Sequence, residues 1–271
     1  MILNTIAAST RIRVEKAKEE LPLDKLKEIV YSRVGVRSFN NRNAFAFERA
    51  LIKNGQKSHE LPISFICEVK KASPSKGIIA EDFPYVEIAK EYEKAGAEAI
   101  SVLTEPEFFK GSDIYLTEIS KEVQIPVLRK DFTIDEYQIY EAKVIGADAV
   151  LLICSLLDTQ TLKGYIKLCN ELGLSALVEA HTEAEVYSAI LAGARVVGVN
   201  NRNLQTFEVD INHSVRLRSL VPKDIIFVAE SGIKTAKDME ILREADVNAV
   251  LIGETLMRSE NKNNELKALR G

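Results

Sequence analysis

Eight short apolar runs recur along the chain, separated by segments long enough to hold one helix each: ISFICEVK (63–70), AISVLT (99–104), PVLRK (126–130), AVLLIC (149–154), SALVEA (175–180), VVGVN (196–200), IIFVAE (225–230) and AVLIGE (249–254). They are rich in Val, Ile and Leu without strict polar alternation, the mark of parallel strands covered on both faces. Between them lie amphipathic stretches with helix signals. YVEIAKEYEKAG (85–96) spaces Val86, Ile88, Ala89 and Tyr92 as a helix does and ends on Gly96. DEYQIYEAKVIG (135–146) opens on an acidic cap and closes on Gly146; TEAEVYSAILAG (182–193) opens on Thr182 with Glu185 three residues on, a capping box, and closes on Gly193; TAKDMEILREA (235–245) follows the seventh run. Right-handed crossovers return each strand parallel to the last, so eight alternations predict an α/β fold, a closed (β/α)8 TIM barrel. An open doubly wound sheet is the alternative.

The first sixty or so residues do not follow this alternation. LDKLKEIVYSRV (23–34) and NAFAFERALIKNG (43–55) read as helices, which predicts an N-terminal helical extension that lids the site or plugs a barrel end. No Gly/Ser linker or low-complexity run sets it apart, so residues 1–271 are expected to form one barrel domain, of which about 1–60 is the extension. At 271 residues and 46% hydrophobic content the chain can bury the core such a barrel needs. A net charge of -4 argues against a nucleic-acid binder. The start MILNTIAASTRIR lacks the form of a secretory signal and no apolar stretch is long enough to span a bilayer, so the expectation is a soluble, cytoplasmic protein without a membrane partner. Cys67, Cys154 and Cys169 lack the paired spacing of a zinc site and read as buried free thiols. The sequence does not determine the oligomeric state; a monomer is compatible with it.

The strands end in residues that a buried strand does not otherwise tolerate. Glu68 and Lys70 lie two apart and therefore share a face, with Lys70 nearer the carboxyl end, where barrel active sites lie. Lys130 ends the third strand, Glu179 stands near the end of the fifth, Asn200 ends the sixth with Arg202 just beyond, and Glu230 ends the seventh. One such residue is an ordinary strand-end charge. Together they form a mouth equipped for acid-base chemistry and for recognition of an anion. Barrels often bind phosphate on backbone amides after strands seven and eight, where AESGI (229–233) brings Ser231 and Gly232 and LIGETL (251–256) brings Gly253 and Glu254. The basic loop KKASPSKG (70–77), with Ser73, is placed to close over an anion. The loops after the first two strands combine Gly, Ser and Lys as ligand-gated loops do, though solvated turns read the same way.

In order and spacing, CEVKKASPSKG, SVLTEPEFFKGS, VLRKDFTIDEYQIYEAKVIGADAVLLI, LVEAHTEAE, GVNNRNL, AESGI and LIGETLMR resemble the indole-3-glycerol-phosphate synthase family of tryptophan biosynthesis. The likeness covers nearly the whole chain, including the LPLDKLK segment of the extension. It implies a lyase acting on a phosphorylated small molecule, 1-(2-carboxyphenylamino)-1-deoxyribulose 5-phosphate, which is closed to a ring with loss of carbon dioxide and water, with no cofactor; separately, only three histidines with no acidic cluster around them argue against a catalytic metal. Lys130 then matches the general acid of the K-D-F motif and Glu179 the base or acid of dehydration. Lys70 matches the lysine that holds the anthranilate carboxylate. Glu68, Asn200 and Glu230 match polar residues that orient the lysines and substrate hydroxyls, and Arg202 a position reaching the substrate's carboxylate or hydroxyl end. Ser73, Ser231, Gly232 and Gly253 match the phosphate and substrate loops; Phe109, Phe132 and Leu204 match apolar contacts around the anthranilate ring. Many relatives place serine at the position of Glu254, so phosphate binding there is expected to use the backbone, with Glu254 turned outward.

Independently of the likeness, a substrate with a carboxylate and a phosphate asks for cations on an otherwise acidic protein, and Lys70, Lys130 and Arg202 supply them. Proximity of the two lysines would lower one pKa while Glu68 would oppose the shift, a balance that sequence leaves open. His181 lies past the strand end before Thr182 and reads as a loop or capping residue, while His59 and His213 fall in loop or helix-start contexts. Three rival functions share this fold. A class I aldolase would form a Schiff base on Lys130; phosphoribosylanthranilate isomerase would need a cysteine paired with a carboxylate at the mouth, whereas Cys67 faces away from the interior; a phosphosugar-binding barrel would bind without turnover.

Overall fold

The computed structural model describes residues 2–33, 42–52, 63–203 and 206–271. Leu204 and His59 lie outside the described residues, as do Val34 and residues 53–55 at the ends of the two expected N-terminal helices. Eight strands, β1 (Ser64–Val69), β2 (Ala99–Leu103), β3 (Val127–Lys130), β4 (Ala149–Ile153), β5 (Ser175–Ala180), β6 (Val196–Asn200), β7 (Ile226–Glu230) and β8 (Ala249–Ile252), close into a barrel in chain order. Every neighbouring pair is parallel, and β1 closes the ring on β8 with Ser64 opposite Ala249. Lys70, Thr104, Cys154, Gly253 and Glu254, included in the apolar runs, fall just past the strands, whereas Lys130, Asn200 and Glu230 are their last residues.

Alternation along each strand separates two cores. Ile66, Leu128, Leu151, Leu177, Val228 and Leu251 belong to the interior cluster. Phe65, Cys67, Val150, Val178, Val197 and Phe227 belong to the outer cluster, between the strands and the helices. The helices that cover the barrel carry the caps read from sequence. Asp135 accepts from the Tyr137 amide at the start of Glu136–Ile145, Gly146 closes that helix at φ 95°, and Thr182 with Glu185 forms a capping box on Glu183–Ala192. A second capping box, Thr235 with Asp238, starts Ala236–Glu244 and went unread.

Helices of the extension lie at both ends of the barrel. The helix α3 (Ala46–Leu51) plugs the amino-terminal end of the barrel: Phe47 and Leu51 join the interior cluster, the Ser64 hydroxyl donates to the Leu51 carbonyl, and Arg195 grips Glu48 with two bonds of 2.8 Å. At the opposite end lies α1 (Ile2–Glu20), which sequence reading did not place as a helix. Its buried residues, Ile6, Thr10 and Val14, recur every fourth position, but the stripe is thin: Thr10 is polar and the next position, Lys18, is charged. Between the two, α2 (Leu23–Arg33) packs on the helix that follows β3.

Candidate active site

At the carboxyl ends of the strands opens a cavity of about 640 Å3, of the size that encloses a small ligand. Inward-facing residues of four strands, β1, β3, β5 and β7, put charge into it. The Lys130 ammonium sits at the centre, 3.2 Å from Glu230 Oε2 and 3.8 Å from both Glu68 Oε2 and Glu179 Oε2. Lys70 donates to Glu68 Oε1 at 2.5 Å. All three carboxylates are buried, Glu230 most completely at 1% exposure. Asn200 Oδ1 accepts from the Arg202 amide and so orders the start of the β6 loop.

Three carboxylates against two ammonium groups leave an excess of negative charge, and burial decides where it is relieved. Desolvation works against a charged Lys130, but Glu230, Glu68 and Glu179 outweigh it and raise its pKa, so the side chain stays protonated. This answers the balance left open by sequence: the carboxylates, not Lys70, control Lys130. Glu68 is buried too, yet Lys70 and Lys130 hold it below the usual carboxylate range. For Glu230, burial together with Glu179 and Glu68 prevails over Lys130 and pushes the carboxyl up to about 7. A carboxyl raised in the folded state contributes most to stability below its unfolded pKa, and that contribution is lost as pH rises through the folded value. Glu230→Gln is therefore expected to gain on wild type by roughly 2 kcal/mol between pH 5.5 and pH 8. Urea unfolding of both proteins at the two pH values checks it, and a difference independent of pH would refute the raised pKa.

Around this centre the structure gathers the other expected residues. Phe109 and Phe132 pack against each other in the lining of the cavity, ring centroids 6.0 Å apart and planes tilted by 39°. Ser73, Arg202, Ser231, Gly232 and Gly253 all line the cavity. Ser231 and Gly232 both adopt positive φ, and a Cβ on Gly232 would fall 2.2 Å from Val209 Cγ1. The Asn201 amide donates to the Ser231 carbonyl and pins this turn. Gly253 lies against the first carboxylate, since a Cβ there would fall 2.3 Å from Glu68 Oε1.

Glu254 corrects the sequence reading. It lines the cavity instead of turning outward, because cations converge on it: Arg258 at 3.3 Å, Lys76 at 3.6 Å and Arg202 at 3.8 Å. His181 keeps its capping context, its backbone amide donating to Glu185, while its ring reaches to 3.5 Å from Glu179 Oε1. His213 begins a helix and meets the His181 carbonyl at 2.8 Å. Cys67 is fully buried in the outer cluster, on the far side of β1 from the mouth.

Sequence reading missed the parts contributed by distant segments. Ile2, Leu3 and Ile6 of α1 line the cavity, and Lys234 and Arg258 join Lys76 of the expected basic loop in adding positive charge to it. What holds α1 there is a buried ion network. Arg13 donates to both oxygens of Asp131 at 2.7 and 3.0 Å, next in sequence to Lys130. Asp131 also accepts from the Thr104 hydroxyl. Arg129, facing the helix layer because it alternates with Lys130, pairs with Glu141 at 2.7 Å and Asp113 at 2.9 Å. Ser9 adds a hydrogen bond to Glu107 in the loop after β2. Among the described residues no group of His, Cys, Asp or Glu side chains is arranged to hold a metal ion, and the space among the three mouth carboxylates is taken by the Lys130 ammonium.

A closed (β/α)8 barrel with a protonated lysine ringed by carboxylates, an aromatic wall and a cationic rim has the make-up of a barrel enzyme of acid-base chemistry on an anionic small molecule. The sequence model of indole-3-glycerol phosphate synthase matches residues 3–269. The synthase of that name from Ruminiclostridium cellulolyticum is 63% identical over 271 residues, covering 100% of this chain and 99% of that protein. Its counterpart from Endomicrobium trichonymphae is 56% identical over 271 residues, with 100% of each chain covered. The chain belongs to the indole-3-glycerol phosphate synthase family, the carboxy-lyases of tryptophan biosynthesis. Among solved structures, 3-hexulose-6-phosphate synthase from Salmonella typhimurium matches with a TM-score of 0.63 at 13% identity, over 77% of this chain and 97% of that one, a likeness of fold.

Proposed function

We propose that this site closes the ring of 1-(2-carboxyphenylamino)-1-deoxyribulose 5-phosphate to give indole-3-glycerol phosphate, with Lys130 as the general acid. The observation that carries the reading is the position of the Lys130 ammonium, protonated and within 3.8 Å of three carboxylates inside the cavity. As the ring carbon bearing the carboxylate attacks the ketone carbon, the carbonyl oxygen gains charge and takes the proton of Lys130. Loss of carbon dioxide restores the aromatic ring. The new hydroxyl then leaves as water while a proton is removed from the adjacent methylene carbon, a task for the Glu179 carboxylate. Lys70, set beside Glu68, meets the substrate carboxylate. Phe109 and Phe132, with Ile2 and Ile6, enclose the aromatic ring. The turn at Ser231 and Gly232, the Gly253 backbone and the cations Lys76, Lys234 and Arg258 suit the phosphate, in the place where barrels commonly hold one. Arg202, bridged to Glu254, reaches the substrate's hydroxyl end.

The aldolase reading loses support from the same lysine, because a Schiff base needs a neutral amine and the carboxylates hold Lys130 charged. The test is a fluorescence assay with this substrate, without added metal or cofactor, following the indole product. Wild type should form product and Glu179→Gln should lose about a hundredfold or more in kcat. A well-folded wild-type protein that forms no product would refute the reading, and borohydride trapping of a sugar phosphate would replace it with the aldolase.

A further inference from the structure

We propose that Gly198 is a positioning residue, whose missing side chain makes the slot in β6 through which the Glu230 carboxylate reaches Lys130. The proposal rests on the reading of Lys130 and Glu230 as parts of the reacting site. The strand β6 lies between β5, which carries Glu179, and β7, which carries Glu230. Its inward positions are Val196, Gly198 and Asn200; the register sets Gly198 opposite Glu179 on one side and opposite Val228 on the other. Glu230, two residues beyond Val228, pairs with Asn200 in the next layer up. At the level of Glu179, β6 therefore presents no side chain to the interior, and Glu230 bends back into that gap.

The fit is tight. A Cβ at position 198 would stand 2.3 Å from Glu230 Oε1, 3.4 Å from Glu230 Cδ and 3.1 Å from Leu177 Cδ1, the first of which is closer than real Cβ atoms come. Backbone conformation gives no reason for glycine here. Gly198 is not among the residues with positive φ, and it sits inside a regular strand, where glycine is otherwise unfavourable and marks a close approach. The atom in conflict is the free end of a flexible side chain, so alanine would displace the carboxylate and leave the backbone in place. Glu230 would then be driven from its position 3.2 Å from Lys130.

Four proteins test this: wild type, Gly198→Ala, Glu230→Ala and the double variant, each measured for kcat, KM, the pH dependence of kcat and thermal unfolding. Gly198→Ala is expected to lower kcat at least tenfold with KM within about twofold, to shift the pH profile, and to unfold no earlier than wild type. The double variant is expected to match Glu230→Ala alone, because the displaced group is then gone. An impaired Glu230→Ala with a Gly198→Ala protein of wild-type kcat and pH profile overturns the role of Gly198 and leaves that of Glu230 standing. Losses that multiply in the double variant, or a Gly198→Ala loss that follows a lowered unfolding temperature, overturn it also. Full activity in Glu230→Ala would remove the reading of Glu230 itself, and the inference with it.

Discussion

Lys130→Ala is expected to reduce kcat at least about a hundredfold in a protein that remains folded, the usual scale for loss of a positioned general acid. The size follows from the surroundings of the ammonium. Burial lowers its pKa, and the three carboxylates more than offset this, so the proton is present at every pH near neutrality and is aimed into the cavity. No second cation takes its place, since Lys70 is engaged with Glu68 on the other side of that carboxylate. The fold survives because the carboxylates left behind can shed charge, as Glu230 already does with a carboxyl pushed up to about 7. Steady-state kinetics with circular dichroism on the same preparation checks the prediction, and turnover above about a tenth of wild type would take Lys130 out of the general-acid role.

Phe47→Ala is expected to destabilise the protein by about 3 to 5 kcal/mol, the range for emptying a fully enclosed aromatic site. Phe47 is completely buried and enters the interior cluster from below, together with Leu51 of its own short helix. The plug cannot easily collapse into the space left, because β1, β2 and β5, which it touches, are fixed by the closed ring. Denaturant unfolding gives the value, and a loss below about 1 kcal/mol would mean that the barrel floor repacks without it. Mouth and floor lie at opposite ends, so the substitution should affect stability far more than KM.

Much of this was legible beforehand because it is local. A strand buried on both faces must be apolar throughout, and the eight runs display that directly. Helix starts such as Asp135 and Thr182 declare themselves through side chains that bond the next turn. Lys70, Lys130, Glu179, Asn200 and Glu230 stood out because a charged or polar residue at the end of an apolar run needs a reason. The helix α1 was illegible for the opposite cause: its buried stripe is thin, and what seats it is the pairing of Arg13 with Asp131, 118 residues away. Glu254 was misread for a related reason, since its direction is chosen by Lys76 and Arg202 from other loops and by Arg258 one turn on.

The sequence by itself determined the order of strands and helices, the alternation that sends Glu68, Lys130, Glu179 and Glu230 inward, and the likeness of its motifs to one family. These depend on periodicity and on contacts within a few residues. Only the tertiary structure decided which end each N-terminal helix covers, that Lys130 is governed by three carboxylates at once, and that Glu230 lies across Gly198 with a raised pKa. Barrel closure brings groups from separate strands within a few ångströms, and charge and burial there act as sums over neighbours that no single segment contains.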